Sequence, residues 1–331
     1  MKKIDLENHF VTEAWIEALR TNKDYPRLED GGQRLSPEVW SAMGKKAQLL
    51  DMGDGRIEYM DAAGIDIAYL SLCSPGVEQF ASAVGVKVAE NANDLLAEAI
   101  ARHPDRFGGY ATLAPRDVDH AVKELERCVK VLGFKGWNTH SNFGDSYLDD
   151  PQYRPILAKA QELGVPIYLH PAIPMIPEIR TFGYALAGPS FGFGVEVAYV
   201  FMRMILRGVF DELPELKIIM GHYGEALPFF VNRVDSPYRQ GKGAPNPEFG
   251  PGSKKWASEY IKGNLWVTTS GNYYPAAYFC SRDGLGIERV LLGSDFPYED
   301  VAACTDFIDS LDLPEDERTR VFEANAHALG F

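Results

Sequence analysis

The stretch KIDLENH, residues 3–9, decides how the rest of the chain is read. Its alternation predicts a short strand that ends on a carboxylate and an imidazole, Glu7 and His9, two positions apart. Side chains two apart on a strand share a face. The turn that follows, ENHFV, holds no GxGxxG, so the glycine-rich first turn of a dinucleotide-binding sheet is missing. The strand opens a different kind of α/β architecture.

Seven more short apolar runs follow. They are IDIAYLSL (65–72), FGGYATLA (107–114), FKGWNTH (134–140), VPIYLHP (165–171), LKIIMGH (216–222), LWVTTSG (265–271) and RVLLGSD (289–295). Several are nearly all apolar, as strands buried on both faces are. Helical patterns lie between them. VKVAENANDLLAEAIARHPDRF has apolar residues at helical spacing and ends at a His-Pro stop. DVDHAVKELERCVKVLGF begins with an aspartate cap and ends at Gly133. Similar patterns precede the fifth, sixth and eighth runs, and DERTRVFEANAHALGF closes the chain.

Strands alternating with helices in this way predict a (β/α)8 TIM barrel, with 1–331 as one domain. A doubly wound sheet is the alternative, but it normally has fewer strands. Residues 10–60, 171–195 and 235–260 are too long for single helices and predict helical and loop insertions. GKGAPNPEFGPGS (241–253) reads as a surface loop.

Composition narrows the function. The chain has 331 residues, 46% hydrophobic and 24% charged, which suits a globular protein. A formal net charge of −14 argues against nucleic acid or an anionic membrane as partner. Cys73, Cys128, Cys280 and Cys304 are far apart and form no CxxC pair, so reduced thiols in a cytoplasmic protein are expected. No signal peptide is apparent, and no stretch approaches the roughly 18 apolar residues of a membrane helix.

In such a barrel, chemistry sits at the C-terminal ends of the strands. There the sequence places Glu7 and His9, His170 in YLHP, His222 in MGHYGE and Asp295 in GSDFP. Two imidazoles and two carboxylates suit a divalent cation such as Zn²⁺ or Mn²⁺, with a position left for water or substrate. Each residue alone has a plainer reading: a satisfied core histidine, a capping aspartate, a surface glutamate. Their coincidence at strand ends singles them out. His140 ends the fourth run and is a secondary pocket candidate. His103, His120 and His327 fall in helical patterns and read as surface residues.

With these motifs assembled, the chain resembles the metal-dependent decarboxylases of the amidohydrolase superfamily, which act on γ-resorcylate, 2,3-dihydroxybenzoate and 5-carboxyvanillate. The resemblance runs over nearly the whole chain, through ENHF, MDAAGIDIAYLSLCSPGVE, GFKGWN, YLHP, FGFGVEVA, KIIMGHYGEALPFFVNRVD, TTSGN and GSDFPYE. It implies that Glu7, His9, His170 and Asp295 bind the metal, with His222 beside it. Glu225 and Arg233 match positions associated with the active site. The hydrolytic relatives usually begin with His-x-His, whereas this chain has Glu7-x-His9, as in the hydroxybenzoate branch.

The expected reaction is non-oxidative decarboxylation of an ortho-hydroxybenzoate. One divalent metal and no organic cofactor serve it. Asp295 is the proton donor, and His222 is held by Glu225. A small aromatic carboxylic acid is the expected partner, and the family implies a homodimer or homotetramer. Arg56, Phe191, Tyr223, Arg233, Asn272 and Phe296 are candidate substrate contacts, each with core packing, a turn or a surface ion pair as the alternative. A lactone or amide hydrolase on the same fold is the competing function; turnover of such substrates without CO₂ would favour it. A catalytically silent scaffold is a third, marked by absence of bound metal.

Overall fold

Each apolar run forms a strand in the computed structural model. The structure describes residues 1–25, 44–240 and 254–331, with the backbone of 28–29 and 34–35. The strands are β1 (Ile4–Phe10), β2 (Ile67–Leu72), β3 (Phe107–Thr112), β4 (Gly136–His140), β5 (Ile167–His170), β6 (Ile218–Met220), β7 (Leu265–Thr268) and β8 (Val290–Leu291). They pair in chain order and all in parallel. β8 is short, and the residues after it close the ring against β1. Leu6 N donates to Leu292 O at 3.0 Å, Asp295 N to Glu7 O at 2.8 Å and His9 N to Phe296 O at 2.8 Å. The fold is the expected (β/α)8 barrel.

Helices wrap the ring: α1 (Glu13–Thr21), α2 (Asp54–Ala62), α3 (Ser82–Arg102), α4 (Val118–Lys130), α5 (Arg154–Leu163), α6 (Gly192–Leu206), α7 (Ala257–Asn264), α8 (Pro275–Leu285) and α9 (Val301–Ser310). The expected stops and starts hold. α3 ends at His103, before Pro104, and Asp117 caps α4 by accepting from His120 N at 3.1 Å. The closing pattern is helical throughout, with one turn widened. It runs as Glu315–Thr319, a wide turn over Arg320–Ala324, and Asn325–Leu329. The first long interval carries α1, a two-stranded ribbon of Leu28–Glu29 with Arg34–Leu35, a short helix Lys46–Leu50 and α2. The second carries single turns at Pro177–Phe182 and Tyr184–Ala187. The loop expected at 241–253 lies outside the described residues. No helix among the described residues is long and apolar enough to cross a membrane.

The main core lies between strands and helices. A second cluster fills the barrel floor: Ile4, Leu6, Tyr69, Tyr110, Tyr168, Ile219 and Leu291, with Ala326, Leu329 and Phe331 from the chain end. Phe331 packs edge-on to Tyr69 at 4.8 Å and to Tyr110 at 5.6 Å.

β1 contains a bulge. Asp5 pairs with Ala68 and Asn8 with Leu70, so three steps along β1 face two along β2. The extra residue changes which side chains turn inward. Ile4 and Leu6 face the floor, and strict alternation would then send Glu7 and His9 outward. The bulge returns both to the interior, at the mouth. Asp5 pins it by accepting from Glu7 N (3.1 Å), Asn8 Nδ2 (2.9 Å), Ser294 N (2.9 Å) and Ser294 Oγ (2.6 Å).

Candidate metal centre

The bulge and three strand ends bring four donor groups together. Glu7, His9, His170 and Asp295 each offer an atom within 4.8 Å of the others. His9 Nε2 lies 3.0 Å from Asp295 Oδ1, and His170 Nε2 lies 3.9 Å from Glu7 Oε1. Glu7 and His9 are 1% exposed and His170 5%.

The outer atoms of these groups are committed, which aims the inner ones. His9 Nδ1 lies 3.1 Å from Ser71 Oγ. His170 Nδ1 donates to Pro171 O at 3.1 Å, leaving a lone pair on Nε2. Glu7 Oε2 accepts from Thr268 Oγ1 at 2.7 Å, and Thr268 in turn meets Tyr168 OH at 2.9 Å. Glu7 Oε1 and His170 Nε2, facing each other, are buried with no hydrogen-bond partner. Buried polar atoms are rarely left so.

A divalent ion fits this arrangement. Metal bonds of about 2.0–2.2 Å put ligand atoms about 3–4 Å apart, and the pairs here are 3.0 and 3.9 Å apart. Burial, with the His9 and His140 imidazoles beside it, holds His170 well below the usual imidazole range. Burial pushes Glu7 up, and the His222 charge partly offsets this. A second cluster, Glu90, His120 and Glu124, lies between α3 and α4. It is partly exposed, and Arg127 already pairs with Glu124 at 2.7 Å.

His222 stands beside the four. Its Nε2 is 3.7 Å from Asp295 Oδ2 and 3.9 Å from Glu7 Oε1, and its Nδ1 meets Glu225 Oε1 at 2.6 Å. Burial lowers its proton affinity, but Glu225 and Asp295 outweigh that and hold the imidazole well above its usual range. Asp295 shows the reverse. Burial raises it, but the His222 imidazole beside it and the hydrogen bond with His9 outweigh this and hold it well below the usual carboxylate range.

The backbone here is strained. His222 (φ 51°), Tyr223 (59°), Glu225 (53°), Ala226 (64°) and Asp295 (59°) are the non-glycine residues with left-handed backbone among those described. Each costs on the order of 1–2 kcal/mol. All lie in the loops carrying His222, Glu225 and Asp295, so the strain is confined to the segments that aim these side chains.

The candidate substrate contacts divide. Tyr223 and Asn272 join His222 in lining a cavity of about 280 Å³, with Phe229, Tyr274 and Cys280. Two of the other four are core residues. Arg56 corrects the expectation of a free anion anchor: it is 1% exposed and its guanidinium is occupied. It donates to Asn8 Oδ1, to Asp51 O at 2.6 Å and to Gln48 O at 2.9 Å. Phe296 is likewise core, tilted against Tyr59 at 5.3 Å and 47° with Arg56 5.0 Å above its ring. Phe191 is 55% exposed ahead of α6, and Arg233 is exposed on the turn Arg233–Asp235.

Sequence reasoning missed Ser71, Thr268 and Glu78. Ser71 and Thr268 end strands, and their facing could have been read from alternation. Glu78 had no such signal: it pairs with His140, 62 positions away. Tyr298 lies 6.0 Å from the His9 ring with its hydroxyl 2.7 Å from Cys73 Sγ.

Comparison with known proteins follows the geometry. The amidohydrolase family model matches residues 4–329. A γ-resorcylate decarboxylase of Polaromonas sp. is 35% identical over 339 residues, covering 99% of this chain and 98% of that protein. A 5-carboxyvanillate decarboxylase from Novosphingobium aromaticivorans was solved with manganese and 4-hydroxy-3-methoxy-5-nitrobenzoic acid. It superposes with a TM-score of 0.90 at 35% identity, over 99% of this chain and 95% of that one. A 2,6-dihydroxybenzoate decarboxylase complexed with 2,6-dihydroxybenzoate gives 0.86 at 33% identity, over 99% of both chains.

Proposed function

The chain belongs to the amidohydrolase family, and we propose that it is a metal-dependent decarboxylase, a carboxy-lyase acting on an ortho-hydroxybenzoate-type acid. The observation that carries this is the cluster of two imidazoles and two carboxylates, Glu7, His9, His170 and Asp295, with His222 beside it and held by Glu225. The relatives' names supply the substrate class.

The assigned ligands are Glu7, His9, His170 and Asp295, and the metal is Mn²⁺ or Zn²⁺. When bound, the ion supplies Lewis acidity to the substrate's carboxylate and neighbouring phenol oxygen. Asp295 takes the phenol proton and returns it to the ring carbon that bears the carboxylate. The carbon–carbon bond then breaks, its electron pair restores the aromatic ring, and CO₂ leaves. His222, held by Glu225, orients the departing carboxylate through Nε2. Tyr223 and Asn272 line a cavity together with His222 and are assigned to ring contact.

Glu7 in the first ligand position favours this chemistry over hydrolysis, because an added negative charge makes bound water less acidic. The test is CO₂ release from a panel of 2,3- and 2,6-dihydroxybenzoate, 5-carboxyvanillate and salicylate. Protein loaded with Mn²⁺ or Zn²⁺ is compared with Asp295→Asn. Release that needs both metal and Asp295 supports the proposal. No release from any of these by metal-loaded protein sinks it and favours a hydrolase.

A further inference from the structure

We propose that Glu78 and His140 form a buried positioning pair for His170, and through it set the affinity of the metal centre. This rests on the assignment of His170 as a metal ligand. His140 ends β4 and is the register partner of His170 on β5, so the two side chains share the inner face. Its ring stands edge-on to His170 at 5.6 Å and 76°. His9 stands on His170 in the same manner at 4.6 Å and 73°. His170 is therefore held between two imidazoles, and its own Nδ1 is tied to Pro171 O.

His140 cannot turn freely, because Glu78 fixes it twice. Glu78 Oε1 accepts from His140 Nδ1 at 3.0 Å, from His140 N at 3.1 Å and from Thr139 Oγ1 at 3.1 Å. Its Oε2 accepts from Val77 N at 2.8 Å. A carboxylate facing four donors is an acceptor only, so the His140 proton is assigned to Nδ1. Nε2 is then left buried with no partner. Both residues are almost wholly buried, at 1% for His140 and 2% for Glu78.

Simple packing would not call for this arrangement. Burying a carboxylate and an imidazole is costly, and apolar residues of similar volume usually serve as well. The turn before Glu78 is also shaped around the pair. Gly76 has φ +66°, and a Cβ there would collide with Glu78 Oε2 and His140 Nδ1. Trp15 Nε1 fixes that turn by donating to Gly76 O at 2.9 Å. The fold thus keeps Glu78, His140 and His170 in line, ending on the lone pair that faces Glu7. No proton transfer is assigned to His140. It acts by orientation, as residues behind metal-bound histidines do.

The test is a Mn²⁺ titration followed by the EPR signal of the free aquo ion, on wild type, Glu78→Gln and His140→Phe. The inference expects affinity to fall about 10–100-fold in each variant. At saturating Mn²⁺, KM for the decarboxylated acid should stay within about twofold, and kcat should return toward wild type. In the Co²⁺-loaded protein the visible absorption band should shift in both variants. Metal-free thermal melts check that the variants are folded.

Folded variants with wild-type Mn²⁺ affinity overturn the inference. So does a raised KM at unchanged affinity, which would put His140 on the substrate instead. A measurement on wild type alone guards against misfolded variants. In the Zn²⁺-loaded, ¹⁵N-histidine-labelled protein, His140 should carry its proton on Nδ1; a proton on Nε2 alone overturns the pair. If wild type binds neither metal, the metal-centre reading itself fails, a result distinct from normal wild-type binding with unaffected variants.

Discussion

Asp295 shows how much one side chain is asked to do. It bonds to His9, faces His222 and sits on left-handed backbone that only its neighbours can hold in place. Asp295→Asn keeps the shape and removes the transferable proton, so CO₂ release should fall by about 10²–10⁴-fold. A loss under tenfold at saturating metal would remove Asp295 from the proton path. Ala226 offers a test of the strain itself. It is exposed, with φ 64°, and a glycine there loses nothing but the steric cost. Ala226→Gly should stabilise the protein by about 1 kcal/mol, roughly 2 °C in the melting temperature. An unchanged or lower melting temperature would mean that the turn is not under strain. At this scale the sequence showed residue type and position along a strand, which was enough for Glu7, His9, His170 and Asp295. It could not show partners distant in the chain. Arg56 looked like a free cation until Asn8 and two backbone carbonyls took it.

The bulge in β1 belongs to the scale of elements, and so does its sensitivity. Glu7 reaches the centre because the facing strands leave room for it. A Cβ at Gly221 would lie 2.8 Å from Glu7 Oε1, and one at Gly293 would lie 3.0 Å from Glu7 Cβ. Gly221→Ala should weaken Mn²⁺ binding by about tenfold or more with an unchanged far-UV CD spectrum. The helical layer should respond in stability instead. Asp117→Ala removes the cap of α4 and should cost about 1 kcal/mol in urea unfolding.

Glu124 joins α4 to α3 through Arg127 and Asn93. Burial alone would raise its carboxyl, but those hydrogen bonds outweigh burial and lower it. A folded value below the unfolded one gives stability that is present above the unfolded value and lost as pH falls through the folded one. Wild type should therefore lose more stability than Glu124→Gln between about pH 5 and pH 3, read from urea midpoints. Strand and helix positions were legible from periodicity and caps. The bulge was not, because alternation describes a strand's facing only until a residue is inserted. The widened turn in the closing helix was not either, since the apolar spacing continues through it.

Taken whole, the barrel is filled at one end. Eight apolar runs with helices between them made the architecture legible, since few other folds use that order. The filling was not, because it brings strand residues and the chain end together across more than 300 positions. Phe331 closes the floor against Tyr69 and Tyr110, and Tyr168 stands 5.8 Å from Tyr110 in the same layer. Phe331→Ala should cost roughly 2 kcal/mol, because the ring is only half-buried. Mn²⁺ affinity should not change, since the site is a layer away. The closed floor also governs traffic. A vessel with one doorway makes a gas formed inside leave past the phenol formed beside it. While the phenol stays, CO₂ can recombine with it before escaping. Labelled CO₂ should then enter unreacted acid during turnover, through that same doorway.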